Sequence, residues 1–244
     1  SDTDSVSCFG IEDGRLDLQV IGGIPGYTVT YELLDAMAPF NGTLNFTQSG
    51  EVQSLTNVPS GAYQVRVTDS AQPTANIVID TITVGGPLKL QVRLTDNQEP
   101  LCFGDTDGFL RAEVILGTTT VNNPESQFTF EWNIPGENTP LLENIGAGEY
   151  AVTITDSRGC QASDTEFLPE APELKIEANT VMVTDATCTG RMDGAITLNV
   201  SGGTSQTGNY TFEWSNNLNE FQVATFNSGL DPGTYSLTLT DDNN

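Results

Sequence analysis

Apolar and polar residues alternate along this chain in short stretches separated by glycine and proline. A period of two is that of a half-buried β-strand. Leu16-Asp17-Leu18-Gln19-Val20, Leu110-Arg111-Ala112-Glu113-Val114 and Ile196-Thr197-Leu198-Asn199-Val200 each present one apolar and one polar face. Glycine breaks each one, at Gly22-Gly23, Gly117 and Gly202-Gly203. An aromatic alternating strand then follows: Tyr27-Thr28-Val29-Thr30-Tyr31, Phe128-Thr129-Phe130-Glu131-Trp132 and Tyr210-Thr211-Phe212-Glu213-Trp214. A Gly-x-Tyr segment leads into the next strand. It begins at Gly61-Ala62-Tyr63, Gly148-Glu149-Tyr150 and Gly233-Thr234-Tyr235, and the strand ends in Thr-Asp at Asp69, Asp156 and Asp241. A large ring on the second strand and a Gly-x-Tyr corner before a later one predict an immunoglobulin-like core.

These elements recur in a fixed order, which makes the repeat the main signal in the sequence. Each copy opens on C-x-G-x-x-D-G: Cys8 to Gly14, Cys102 to Gly108 and Cys188 to Gly194, at offsets of 94 and 86 residues. The expectation is an all-β chain of tandem immunoglobulin-like β-sandwich repeats arranged as an extended rod. Its domains would span residues 1–86, 87–171 and 172–244. Short proline-containing linkers, Gly85-Gly86-Pro87 and Pro169-Glu170-Ala171-Pro172, would limit freedom between neighbours. On this reading the first copy lacks its own strand A and the third stops at its F–G turn, so a cut from a longer array is expected.

Composition narrows the function. Eight Lys plus Arg face 33 Asp plus Glu, a net charge of −25. Phosphate backbones repel such a chain, so nucleic-acid partners are not expected. It also lacks the basic clusters that hold proteins to anionic membranes, and no apolar run is long enough to insert as a helix. With no His in the sequence, Ser-His-Asp and Cys-His arrangements and His-ligated zinc sites cannot form within this chain. We expect no enzyme and no organic cofactor; cations are the favoured small partners. Phe40, Phe46 and Phe221 are candidates for a glycan-binding surface or for core packing. Asn41, Asn45, Asn199 and Asn209 fit the N-glycosylation pattern.

The C-x-G-x-x-D-G opening, the glycine turn, the aromatic strand ending in Trp and the Gly-x-Tyr/Thr-Asp ending together resemble the SprB repeat. The resemblance covers essentially the whole chain in three copies. It implies an extracellular, cell-surface filament adhesin of gliding Bacteroidetes, exported by type IX secretion and supporting attachment to a substratum. Neighbouring repeats, surface polysaccharide and the gliding machinery are the partners it implies. Two further readings stand beside it: an array of carbohydrate-binding modules, and a non-catalytic appendage of a large secreted enzyme. Repeats of this type often carry a second Cys just after the Thr-Asp turn, as at Cys160; copy one has none there.

An exported protein can keep disulfides, and four Cys allow three complete pairings. In an immunoglobulin-like unit the A–B and F–G loops lie at opposite ends, which disfavours Cys102–Cys160 within copy two. Stacked units would bring Cys8 toward Cys160. Both pairings stay open at this point, as do free thiols; with Cys8–Cys160 formed, Cys102 would await a Cys beyond Asn244. The same loops gather acids: Glu12 and Asp13 opposite Asp156, and Asp105 and Asp107 opposite Asp241 and Asp242. These are candidate calcium ligands, because Ca²⁺ takes six to eight oxygens. Local Asx turns explain Asp13, Asp107 and Asp193 equally directly.

Overall fold

The structure is a computed structural model that describes residues 1–34, 39–204, 210–215, 219–221 and 225–242. It is all-β. The first seven strands are β1 (Asp2–Asp4), β2 (Gly14–Gln19), β3 (Tyr27–Leu33), β4 (Asn41–Phe46), β5 (Val52–Val58), β6 (Gly61–Thr68) and β7 (Ile77–Val84). They form two antiparallel sheets, β1-β2-β5 and β4-β3-β6-β7. Next come β8 (Leu90–Gln98), β9 (Gly108–Leu116), β10 (Thr119–Thr120), β11 (Phe128–Trp132), β12 (Leu141–Ile145), β13 (Gly148–Asp156) and β14 (Gln161–Leu168). Here β9 pairs with β8, β10 and β12, and a second sheet runs β11-β13-β14.

The last stretch holds β15 (Lys175–Ile176), β16 (Met182–Thr184), β17 (Gly194–Leu198), β18 (Val200–Ser201), β19 (Thr211–Trp214), β20 (Asn219–Phe221), β21 (Thr225–Leu230) and β22 (Leu237–Thr240). Its sheets are β15-β18, β16-β17-β21 and β20-β19-β22. The chain divides into two compact units. One comprises residues 1–93, 114–129 and 153–163; the other comprises 94–113, 130–152 and 164–244.

Alternation in the sequence becomes alternation in burial. On β2, Leu16 and Leu18 point inward while Arg15 and Gln19 face out. On β11, Phe128, Phe130 and Trp132 are buried and Thr129 and Glu131 exposed. In the first unit Leu16, Tyr27, Val29, Phe46, Val58 and Tyr63 form one core, the two sheets burying their facing sides against each other. Phe40 joins it, edge-on to Tyr63 at 5.9 Å between ring centroids. Phe40 and Phe46 are therefore core rings. The Phe221 side chain and Asn209 lie outside the described residues. In the second unit Leu198, Phe212 and Trp214 form a smaller core with Ile176 and Leu237 against it.

A short strand precedes the first Cys loop. In copy one β1 pairs antiparallel with β2, Asp2 opposite Asp17 and Asp4 opposite Arg15. It is three residues of Asp-Thr-Asp, too short and too polar to show a period.

The Gly-x-Tyr segments are tyrosine corners. The hydroxyl donates to the carbonyl four residues back in every copy: Tyr63 to Pro59 at 2.7 Å, Tyr150 to Gly146 at 2.8 Å and Tyr235 to Asp231 at 2.8 Å. Each bond fixes the entry into its strand. Burial pushes the Tyr63 phenol up to about 12, so it stays a donor at any physiological pH. Tyr→Phe at these positions is expected to cost about 1 kcal/mol. The loss should be larger at fully buried Tyr63 than at half-exposed Tyr235, which denaturant titration of the three single variants would check.

Candidate functional site

The recurrent loops are built the same way three times. In each, the carbonyl of the Cys accepts the amide of the residue three further on: Ile11 to Cys8, Asp105 to Cys102 and Arg191 to Cys188, all at 3.1 Å. The amide of the residue before the Cys donates to the carboxylate of the motif Asp. Ser7 reaches Asp13 at 2.8 Å, Leu101 reaches Asp107 at 3.0 Å and Thr187 reaches Asp193 at 2.8 Å. These bonds hold the Asp13 and Asp193 carboxyls below the usual range, the Ser7 and Thr187 side chains being the first cause. The motif Asp is thus the clasp of its own loop.

Both glycines of the motif have a steric reason. Gly10, Gly104 and Gly190 sit at φ of 78°, 79° and 79°, the left-handed region that a side chain disfavours. Gly14, Gly108 and Gly194 let a neighbouring strand come close. A Cβ there would stand 2.6, 2.7 and 2.9 Å from the carbonyl oxygens of Val58, Ile145 and Leu230.

The Asp that ends each F-type strand accepts backbone amides of adjoining turns. Asp156 Oδ1 accepts the amides of Arg158 and Cys160, both at 2.9 Å, and so sets where Cys160 lies. Asp241 Oδ2 accepts the amide of Thr204 at 2.7 Å. Asp69 is the most enclosed. Its carboxylate accepts the Asn76 side chain at 2.8 Å, the Asn76 amide at 2.7 Å, the Ala71 amide at 3.1 Å and the Ile24 amide at 3.2 Å.

Those donors, Asn76 first, hold its pKa down to about 2 against an ordinary 3.8. A depressed carboxyl contributes stability above its ordinary pKa, and that stability is lost as pH falls through the folded value. Melting of the first unit should therefore drop between about pH 4 and pH 2, and less so in Asp69→Asn. Equal acid sensitivity of both proteins in a thermal scan would contradict this assignment.

Within the first unit, the Cys8 loop and the turn at Cys160 are joined by a disulfide with Cα atoms 5.7 Å apart and 152 residues between them in sequence. That separation of Cα atoms is ordinary for a bonded pair. Cys160 is thereby not available to Cys102. Beside the bond, Phe9, Ile11, Pro87, Leu88 and Asp156 line a hollow of about 420 Å³.

Within the second unit, Cys102 stands in the corresponding loop as a half-exposed thiol, and Cys188 is an exposed one. Cys102, Phe103, Pro172, Leu174, Gly203 and Asp241 line a hollow of about 290 Å³. Burial, then the negative field of Asp241, pushes the Cys102 thiol up.

Of the carboxylates singled out in the sequence, Asp13, Asp107, Asp156 and Asp241 accept backbone amides of nearby turns. Among the described residues, no three Asp, Glu or Cys gather closely enough to hold a metal ion. Glu170 was not singled out, yet its carboxylate accepts the Gly104 amide at 2.8 Å and so fastens the Cys102 loop; in copy three Asp231 does the same for Gly190 at 3.0 Å. No sequence pattern marks either, because the two acids sit at different places in their copies. No described helix is long and apolar enough to cross a membrane.

No curated protein matches the chain by sequence. Among solved structures, it is similar to the three N-terminal domains of the bacteriophage RB49 highly immunogenic outer capsid protein, at 16% identity over 98% of this chain and 84% of that one, TM-score 0.40. It is also similar to the FN1–FN3 domains of chicken CNTN1, at 12% identity over 98% and 93%, TM-score 0.32. A third is the C-terminal 282-residue fragment of intimin in complex with the intimin-binding domain of its translocated receptor, at 11% identity over 82% and 89%, TM-score 0.35. The family model described as SprB repeat matches residues 180–219. That stretch holds the Cys188 loop, its Asp193 clasp, the Gly202-Gly203 turn and the strand ending at Trp214, and the same parts recur around Cys8 and Cys102. Residues 180–219 are a SprB repeat.

Proposed function

We propose that this chain is a structural and adhesive segment of a secreted cell-surface filament, one that supports attachment and gliding of the cell that carries it. The observation that carries the reading is the Cys8–Cys160 bond, which ties the opening loop of one repeat to the F–G turn of the next copy in sequence. The bond is a covalent link between loops of successive repeats. It suits a chain that bears load, because force applied along the polypeptide is diverted past the residues enclosed by the bond.

The SprB match and a net charge of −25, which keeps a long exposed polymer soluble, support the same role. Gliding and type IX export come from the family resemblance. Single-molecule stretching provides the test. Under oxidising conditions the rupture traces should lack the extension of the residues between Cys8 and Cys160, and reduction should restore it. Antibody against this segment should also stop attachment of intact cells to glass. Unhindered attachment with antibody bound would refute the adhesive part, while identical traces in both redox states would refute the load-bearing part.

A further inference from the structure

Three large apolar side chains stand exposed around one hollow of the first unit. Phe9 is 58%, Ile11 49% and Leu88 66% exposed, and all three line the space of about 420 Å³ beside the Cys8–Cys160 bond. All of its lining residues belong to that unit. Apolar groups gathered at one exposed place mark a contact surface. The volume is that of a small-ligand site.

Polar groups face the same hollow with bonding capacity to spare. Both bonds of Asp156, to the Arg158 and Cys160 amides, use Oδ1, which leaves Oδ2 to accept. Gln161 donates Nε2 to Thr155 Oγ1 at 3.1 Å and keeps its own carbonyl oxygen. The main-chain carbonyl of Lys89 accepts the Gly117 amide at 2.8 Å, while its side chain is exposed and in no ion pair among the described residues. An aromatic face with donors and acceptors beside it suits a ligand with C–H faces and a girdle of hydroxyls. That is the chemistry of a sugar ring.

Phe9 is also fixed in advance. Cys8 before it is bonded to Cys160, Gly10 after it holds φ at 78°, and the Ile11 amide donates to the Cys8 carbonyl at 3.1 Å. A platform set before binding gives up little freedom on binding.

The second unit repeats the parts. Phe103 follows Cys102 as Phe9 follows Cys8, is 53% exposed, and lines a hollow with Leu174 and Asp241, the counterparts of Leu88 and Asp156. A site used again in the next copy fits a ligand that itself repeats. The charge of −25 then selects the class of polymer. A polyanion is repelled, and a polycation finds acids over the whole surface and has no need of the hollow.

We infer that the hollow beside Cys8–Cys160 binds a neutral hexose polysaccharide. One ring lies on Phe9 between Ile11 and Leu88, and its hydroxyls bond Asp156 Oδ2, the Gln161 carbonyl oxygen and the Lys89 ammonium. Repeated sites on one chain raise avidity for a long polymer. The inference rests on the adhesive reading above and names what the segment grips.

The test titrates cellohexaose, laminarihexaose and mannohexaose into the oxidised 244-residue protein by calorimetry, with polygalacturonate as the anionic comparison. Phe103→Ala is present throughout, so that the first hollow is read alone. Saturable one-to-one binding of at least one neutral hexaose is expected, and none of polygalacturonate. Adding Phe9→Ala should weaken binding about tenfold, the scale of one aromatic contact. Adding Phe167→Ala removes a ring that is 63% exposed on β14 and should change nothing. Circular dichroism should be the same for all variants, since none of these rings is in the core. Failure of all three hexaoses to bind, equal losses from Phe9→Ala and Phe167→Ala, or a preference for polygalacturonate would each overturn the inference. If antibody still blocks cell attachment alongside such a failure, the adhesive reading stands and this ligand is struck out.

Discussion

Exchanging Cys8 and Cys160 for serine, with Cys102 and Cys188 already replaced by serine in both proteins, is expected to lower the melting temperature of the first unit by roughly 10 °C. The closed loop is long, with 152 residues separating the two cysteines. In the chain-entropy account, cross-linking so long a loop removes about 5 kcal/mol of conformational freedom from the unfolded chain, and native disulfides typically contribute about 2–5 kcal/mol. Asp156 holds the amide of Cys160, and Asp13 holds the amide of Ser7 next to Cys8, so both sulfurs sit on turns fixed by their own carboxylates. Scanning calorimetry under oxidising conditions reads the difference directly. An unchanged melting temperature would mean that the two loops are held by their surroundings and the bond adds nothing.

The second large effect is expected at Trp132. Its ring is 4% exposed and its Nε1–H donates to the Thr139 carbonyl at 2.8 Å. Truncation to alanine removes a large buried ring and leaves a cavity, at a cost of about 3–5 kcal/mol. Trp132→Phe keeps most of the apolar volume and loses the donor, so the Thr139 carbonyl goes without that partner for about 1–3 kcal/mol. The pair of variants separates packing from hydrogen bonding. If phenylalanine costs as much as alanine in urea unfolding, the bond outweighs the ring; if phenylalanine costs nothing, the bond is replaced by water. Trp214 occupies the same place in copy three with the same burial, and its alanine variant should be as damaging.

Much of this was legible from residue order alone. Alternation placed β2, β9 and β17 and their aromatic successors β3, β11 and β19, because side-chain direction on a strand depends only on position parity. The Gly-x-Tyr corner was readable because its hydrogen bond spans four residues, as at Tyr63 and Pro59. The Asp clasp of each Cys loop was readable for the same reason: Ser7 to Asp13 is a local contact. Strands β5 and β7 were harder. Val52 is 53% exposed and Ile79 is 55% exposed, so apolar residues there do not report a buried face. The three polar residues of β1 gave no period at all, yet backbone pairing to β2 needs none.

Residue order set which residues face inward, where the chain turns, and that one loop design is used three times. Each of these depends on interactions within a few residues, so order along the chain suffices. Tertiary structure alone decided which cysteine meets which, since Cys8 and Cys160 are brought together only by how sheets far apart in sequence are placed. It alone decided that Phe40 and Phe46 are core rings.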